Sequence, residues 1–207
     1  MPAKKNLEVE VKFLVEDLES LKEQLLEAGA ILVRPRVYER NVRFDTALNA
    51  LLKEEKLLRL RQDTAVILTF KAPSEFDQES EAKIRQEIEV RVDDFDRMAM
   101  ILDQLGFEPK QTYEKYREAY HLNDLEIVLD EMPYGLFVEL EGDEQTIKET
   151  AERLNLVWGE RILSNYLAMM GILVDHYHLP FQDVTFENFR DIEISFKEVL
   201  PLADDPA

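Results

Sequence analysis

No cysteine occurs among the 207 residues, which excludes disulfides, thiolate zinc sites, iron–sulfur clusters and cysteine nucleophiles together. Glycine is nearly as scarce, with six residues at positions 29, 106, 135, 142, 159 and 171. No two are close enough to form a glycine-rich phosphate loop or a dinucleotide fingerprint, so any phosphate chemistry falls to side chains. No run of about 18 apolar residues is present. The opening Met1-Pro2-Ala3-Lys4-Lys5 is not followed by the apolar stretch of a signal peptide. These absences predict a soluble, cytoplasmic protein with no membrane partner. Basic residues are the minority: 25 Lys and Arg against 44 Asp and Glu give a net charge of −19. Such a field repels nucleic-acid backbones and anionic bilayers, and a general nucleic-acid surface is excluded.

What is present is a globular composition, 45% hydrophobic and 33% charged, arranged in clear periods. Leu7 to Val15 alternates with period two and reads as a strand. Leu18, Leu21, Leu25 and Ala28 fall at helical spacing, and Gly29 stands where a helix stops. Residues 31–45 read as extended, 57–62 and 65–71 as a hairpin, and 83–92 as a long alternating strand. A second helix over 94–105 ends at Gly106; strands near 112–121, 125–131 and 136–142 and helices over 143–154 and 163–174 follow. Glu8-Val9-Glu10-Val11-Lys12, a helix, Gly29 and Tyr38-Glu39-Arg40 are echoed by Glu87-Ile88-Glu89-Val90-Arg91, a helix, Gly106 and Tyr113-Glu114-Lys115. The echo predicts a duplicated strand-helix-strand unit with a pseudo-two-fold relation.

Any one of these strands is an ordinary half-buried strand with charges toward water. Together they concentrate bases and acids on their polar faces, several as i, i+2 pairs: Glu8, Glu10 and Lys12; Arg59 and Arg61; Lys71; Lys83, Arg85, Glu87, Glu89 and Arg91; Lys115 and Arg117; Asp130; Glu139 and Glu141. Two architectures fit. An open sheet can leave these charges in water, or a closed sheet can turn them inward and carry its helices outside. The second arrangement desolvates ions and calls for a ligand that compensates them. Converging Lys and Arg suit a polyanion such as a triphosphate, and paired carboxylates suit a hard divalent cation.

Glu8-Val9-Glu10-Val11-Lys12 resembles the E-x-E-x-K signature of the CYTH domain, the triphosphate tunnel metalloenzymes, which include class IV adenylyl cyclases, thiamine triphosphatases and inorganic triphosphatases. The likeness continues in order through Leu58-Arg59-Leu60-Arg61, Thr69-Phe70-Lys71, Glu87-Ile88-Glu89, Lys115-Tyr116-Arg117, Leu129-Asp130 and Glu139-Leu140-Glu141. It implies an α+β fold, an eight-stranded antiparallel β-barrel or tunnel with helices packed outside, over residues 1–174, followed by an acidic extension over 175–207. The resemblance carries triphosphate binding to Lys12, Arg59, Arg61, Lys71, Lys115 and Arg117. It carries Mg²⁺ or Mn²⁺ binding to Glu8, Glu10, Glu139 and Glu141, with Glu87, Glu89 and Asp130 as further metal candidates. Catalytic roles are expected of Glu10, Lys12, Lys71 and Asp130. By strand parity Arg91 joins the substrate-binding set, with Arg85 beside it. Arg43 receives no role.

Three functions follow from the resemblance. Triphosphate hydrolysis, on an inorganic or organic substrate such as thiamine triphosphate, is favoured because both acids of Glu139-Leu140-Glu141 are kept. Cyclisation of ATP to cyclic AMP and pyrophosphate is the alternative, and Ser164-Asn165-Tyr166 resembles the cyclase-labelled members. A polyphosphate- or nucleotide-binding module without turnover is the third. The family also suggests a homodimer. Tyr38, Tyr113, Tyr116 and Tyr120 read chiefly as packing residues with stacking as the alternative, Met169, Met170 and Trp158 as core, and His176 and His178 as a solvated pair. The last 33 residues hold eight acids and two bases around Phe181, Phe186, Phe189 and Phe196. This extension is expected first to pack back on the domain, then to meet a partner, then to be partly disordered.

Overall fold

A computed structural model of the chain describes residues 7–74, 80–194 and 196–199. The elements are β1 (Leu7–Val15), α1 (Leu18–Glu27), β2 (Ile31–Asp45), α2 (Ala50–Lys53), β3 (Leu57–Gln62), β4 (Val66–Pro73), β5 (Lys83–Val92), α3 (Phe95–Gln104), β6 (Glu108–Leu122), β7 (Leu125–Met132), β8 (Gly135–Glu141), α4 (Glu144–Arg153) and α5 (Tyr166–Tyr177), with short 3₁₀ turns at Trp158–Glu160 and Phe196–Glu198. The strands close into a ring in the order β1-β5-β4-β3-β2-β6-β7-β8, and every pair is antiparallel. This is the closed one of the two architectures.

The duplication is visible in that ring. Advancing each strand number by four positions, cyclically, returns the same set of neighbours, with β1 beside β5 and β2 beside β6. The two crossing helices are also built alike. The Asp17 carboxylate accepts from the N–H groups of Glu19 and Ser20, and Asp94 accepts from Arg97, so each helix starts on a capped aspartate. Each stops at a glycine with positive φ, Gly29 at +91° and Gly106 at +87°, a conformation that side chains with a Cβ rarely adopt.

Helices α1 and α4 cover one outer wall. Leu21 and Leu25 of α1 and Ile147 and Ala151 of α4 pack with Val11, Phe13, Leu129, Val138 and Leu140. Helix α3 covers another wall, placing Leu102 against Val42, Phe44, Leu58 and Leu60. Helix α2 was not legible from periodicity because its support is tertiary. The buried Asp45 carboxylate, at the end of β2, accepts from the N–H groups of Leu51 and Leu52.

The inner faces change character along the barrel. Beyond Lys12, Glu139 and Asp130 the same faces carry Leu14, Phe137 and Met132, and this end is filled by Tyr166, Met169, Met170 and Leu173 around them. Helix α5 therefore stoppers one end, anchored by the Asn165 side chain, which caps it at Ala168. That cap explains why the helix runs from 166 to 177 rather than from 163. Trp158 packs at the edge of the core with its Nε1 unpaired. His176 and His178 are exposed, and His178 ends the helix in the left-handed region. The described residues of the extension lie on the barrel: Val184, Phe189 and Phe196 are buried in the cluster around α5.

Candidate functional site

Side chains of alternate residues on β1, β3, β4, β5, β6 and β8 enclose a cavity of about 310 Å³. Period two places them there, since residues i and i+2 share a face of a strand. Glu8, Glu10 and Lys12 come from β1, Arg59 and Arg61 from β3, and Lys71 from β4. Lys83, Arg85, Glu87 and Glu89 come from β5, Lys115 and Arg117 from β6, and Glu139 and Glu141 from β8. With Arg34 and Glu126, the lining holds nine bases and seven acids. A chain of net charge −19 thus surrounds this space with a formal excess of positive charge.

The charges fall into separate clusters of direct contacts. Lys12 Nζ lies 2.8 Å from Glu10 Oε1 and 3.3 Å from Glu139 Oε1. The other Glu139 oxygen meets Arg117 Nη2 at 2.7 Å. Arg117 Nε donates to Asp130 Oδ1 at 2.7 Å, and Lys115 Nζ to Asp130 Oδ2 at 2.9 Å. On the opposite wall Lys71 Nζ donates to both oxygens of Glu8, at 2.6 and 2.8 Å, and sits 3.3 Å from Glu87. Arg59 donates to Tyr113 Oη at 3.0 Å and to Thr69 Oγ1 at 3.2 Å, and Thr69 donates in turn to Glu89 at 2.7 Å.

Burial and neighbours tune these groups in opposite directions. Burial opposes the Lys12 ammonium, but Glu10 and Glu139 outweigh it and hold its pKa above the ordinary lysine value. Glu139 is buried too, yet Lys12 and Arg117 keep it well below the carboxylate range. Glu141 goes the other way. It makes no ion pair among the described residues, and burial together with Glu8, Glu126 and Glu10 pushes it up to about 8. Glu87 rises to about 7, first through burial, with Lys71 opposing and Glu8 reinforcing. Lys83 falls to about 8 through burial and the nearby Lys12.

Two of the expected site residues stand off the cavity lining. Asp130 is fully buried and does not line the cavity. Its oxygens are taken by Lys115, Arg117 and the Tyr166 hydroxyl, which donates at 2.8 Å. In this arrangement it holds two bases from behind the lining. Arg91 shares the parity of Arg85 but is exposed beyond the lining, at the far end of β5. Lys12, Arg59, Arg61, Lys71, Lys115 and Arg117 are brought together as expected, with Arg85 beside them. Thr69, Tyr113, Tyr166 and the buried Glu39 are members of these clusters that strand parity alone did not single out. Of the tyrosines, Tyr113 and Tyr166 line the space, whereas Tyr38 and Tyr116 pair edge-on at 5.6 Å and Tyr120 bonds Glu118 in the outer core.

Among the described residues no group of three or more acids is gathered in metal-holding geometry. Glu8 is closed on Lys71 and Glu10 on Lys12. The donor chemistry nonetheless fits a hard divalent cation. Four carboxylates from adjacent strands face one space, and Glu10 and Glu141 are direct cross-strand partners. Glu141, raised by burial and then by the like charges of Glu8, Glu126 and Glu10, marks a place short of positive charge.

A closed ring of antiparallel strands lined by bases and carboxylates defines a class of tunnel-fold protein. A family model of the CYTH domain matches residues 6–161, and the chain belongs to that family. A Methanocaldococcus jannaschii protein named "Putative adenylate cyclase" is 29% identical over 178 residues, covering 80% of this chain and 99% of the relative. The structure of a "putative adenylate cyclase" from Vibrio parahaemolyticus aligns with a TM-score of 0.69 at 19% identity, covering 78% of this chain and 95% of that one. A Hippeastrum protein, described as a "putative adenylyl cyclase" with a dominant triphosphatase activity, aligns with a TM-score of 0.56 at 18% identity, covering 79% of this chain and 94% of that one. At these identities the two structures speak for the fold. No helix among the described residues is long and apolar enough to cross a membrane.

Proposed function

We propose that this protein hydrolyses a phosphoanhydride bond of a triphosphate held in the tunnel, with Mg²⁺ or Mn²⁺ as cofactor. The observation that carries the reading is the convergence of Lys12, Arg59, Arg61, Lys71, Lys115 and Arg117 from four strands onto one cavity. A triphosphate presents several anionic oxygens in a row, and bases from different strands match that length where a single loop cannot.

Each group has a distinct task. Arg59, steadied by Tyr113 and Thr69, and Arg117, steadied by Asp130, present fixed guanidinium donors to phosphate oxygens. Lys12 and Lys71 each touch two carboxylates, and with those oxygens engaged on a cation both ammonium groups would be free to face phosphate. Glu8, Glu10, Glu139 and Glu141 are the residues that would hold the metal. When bound, it supplies charge neutralisation between carboxylate and phosphate and acidifies a water. Lys83, the cross-strand partner of Glu10, has its pKa lowered to about 8 by burial and Lys12, and its neutral fraction is suited to accept a proton from attacking water.

Cyclisation of ATP is the second reading, supported by the names of the relatives above. Hydrolysis is favoured because 16 of the 22 lining residues are charged. Of the lining's two aromatic rings, Tyr166 already carries Lys12 and Lys115 over its face, 5.6 and 5.2 Å from the centroid, and Tyr113 has its hydroxyl engaged with Arg59. The test is one panel of inorganic triphosphate, thiamine triphosphate and ATP with Mg²⁺ or Mn²⁺, read for phosphate, pyrophosphate and cyclic AMP. Phosphate release is expected. Cyclic AMP from ATP would replace hydrolysis by the second reading, and binding without product would leave a non-catalytic module.

A further inference from the structure

Strand β6 overshoots its neighbour. Its pairing with β7 begins only at Tyr116, whereas its pairing with β2 extends to Glu108, so residues before 116 have an open edge. The C-terminal segment occupies that edge. Val184 N–H donates to Thr112 O at 2.9 Å, Glu114 N–H donates to Val184 O at 2.8 Å, and the Asp183 carboxylate accepts from Thr112 N–H at 2.8 Å. The residue between these contacts is Tyr113, whose hydroxyl accepts from Arg59 inside the tunnel.

Farther along, the same segment reaches a second cluster of bases. Phe196 stacks on Tyr134 with centroids 5.2 Å apart and planes 16° from parallel, and meets Phe137 edge-on. Tyr134 Oη donates to Tyr166 O at 3.0 Å, and Tyr166 Oη donates to Asp130, which grips Lys115 and Arg117. Burial and the neighbouring Asp130 hold the Tyr166 phenol well above its ordinary pKa, so it stays a donor. Phe196, Tyr134, Tyr166, Asp130 and Lys115 are buried, and Arg117 is half-buried. Residues 182–196 lie outside the span matched by the family model.

We propose that the C-terminal segment is a positioning device for the triphosphate site, setting Arg59 through Tyr113, and Lys115 with Arg117 through Phe196, Tyr134, Tyr166 and Asp130. The proposal rests on the triphosphate-binding reading above. It commits the segment to affinity for the anion and not to stability alone, because both of its contact lines end on bases that would hold phosphate.

The experiment is calorimetric titration of inorganic triphosphate with Mg²⁺ into the full chain and into Phe196→Ala, Tyr134→Phe, Phe196→Tyr and Lys197→Ala. Each is measured at a temperature where circular dichroism shows the variant fully folded. Phe196→Ala is expected to weaken binding about five- to tenfold, and Tyr134→Phe, which keeps the ring and removes only the hydroxyl, about threefold. Phe196→Tyr restores the stack and most of the affinity. Lys197→Ala removes only an exposed ion pair with Glu16 and leaves affinity unchanged. Unchanged affinity in folded Phe196→Ala and Tyr134→Phe overturns the positioning role while the tunnel reading stands. If Phe196→Ala does not fold, Tyr134→Phe decides alone. If the unaltered chain does not bind inorganic triphosphate, the tunnel reading and the positioning role fall together.

Discussion

Strands β1 and β5 carry two copies of one motif, Glu8-Val9-Glu10-Val11-Lys12 and Glu87-Ile88-Glu89-Val90-Arg91, at equivalent places in the ring. Their fates differ. In the first copy Glu8, Glu10 and Lys12 are all buried and Lys12 joins two carboxylates. In the second, Glu87 and Glu89 are progressively more open and Arg91 leaves the cavity altogether. The outer faces diverge in step: Val11 is sealed beneath α1 and α4, whereas Ile88 and Val90 are 48% and 53% exposed. The backbone symmetry of the duplication is kept, but the neighbours are not equivalent. β1 lies against the acids of β8, and its outer wall is covered by α4. Position within the barrel, not the motif, makes the first copy the center of the charge network.

The largest test of this asymmetry is Lys12→Ala against Arg91→Ala. Removing Lys12 takes a fixed positive charge from the phosphate-facing space and leaves Glu10 and Glu139 facing each other. Turnover of the triphosphate substrate is expected to fall about 10²- to 10³-fold, whereas Arg91→Ala stays within about twofold, since an exposed side chain off the cavity contributes little. Comparable losses from both variants would restore the symmetric view.

Next comes Asp130→Asn against Glu89→Gln. Asp130 compensates two buried bases, and its loss leaves Lys115 and Arg117 without that anion, a cost of about 3 kcal/mol in denaturant unfolding. Glu89 is partly solvated and its 3.5 Å contact with Arg59 is looser, so its variant is expected to lose at most about 1 kcal/mol. Outside the barrel, Val11→Ala should cost about 2 kcal/mol by opening a packed site, and Val90→Ala no more than about 0.5 kcal/mol. Equal costs at these two valines would mean that the outer face of β5 is covered in solution.

Alternation revealed which charges share a face, because a strand offers only two, so the set from Glu8 to Glu141 was legible on that ground, whereas its inward turn was carried by the family resemblance. Depth along the strand is a different quantity. Arg85 and Arg91 have the same parity, but one faces Glu8 across the sheet and the other lies past the rim. Saturation is a third. That Asp130 is consumed by Lys115, Arg117 and Tyr166 depends on contacts 13 to 36 residues away in sequence, set by register. Thr69 and Tyr113 were similarly hidden, since nothing in their own segments marks them as supports for Arg59. The extension lacks periodicity because its contacts are single anchors, Val184 on a strand edge and Phe196 on one ring, rather than a repeating face.

The smallest effect, and the one most specific to the β8–β1–β5 side of the tunnel, is in the dependence of stability on pH without divalent cations. Glu141 at about 8 and Glu87 at about 7 are raised in the folded chain from the ordinary 4.5. Between those values the folded chain holds protons that the unfolded chain has released, so their contribution is complete at low pH and is lost as pH rises toward 8. Lys83 is lowered to about 8 from 10.5. Above 8 the unfolded chain binds the extra proton, and this contribution is regained up to the ordinary lysine value. The melting temperature in chelator is therefore expected to fall from about pH 5, reach a minimum near pH 8 and recover slightly just above it, before the raised tyrosines Tyr134 and Tyr166 turn it down again toward pH 10. Glu141→Gln should flatten the descent. A cation that takes the proton's place at these carboxylates reverses the slope, so stabilisation by Mg²⁺ should grow through the same window. A melting temperature that rises steadily from pH 5 to 8 in chelator would mean that Glu141 and Glu87 ionise freely, and that this side of the tunnel is not short of positive charge.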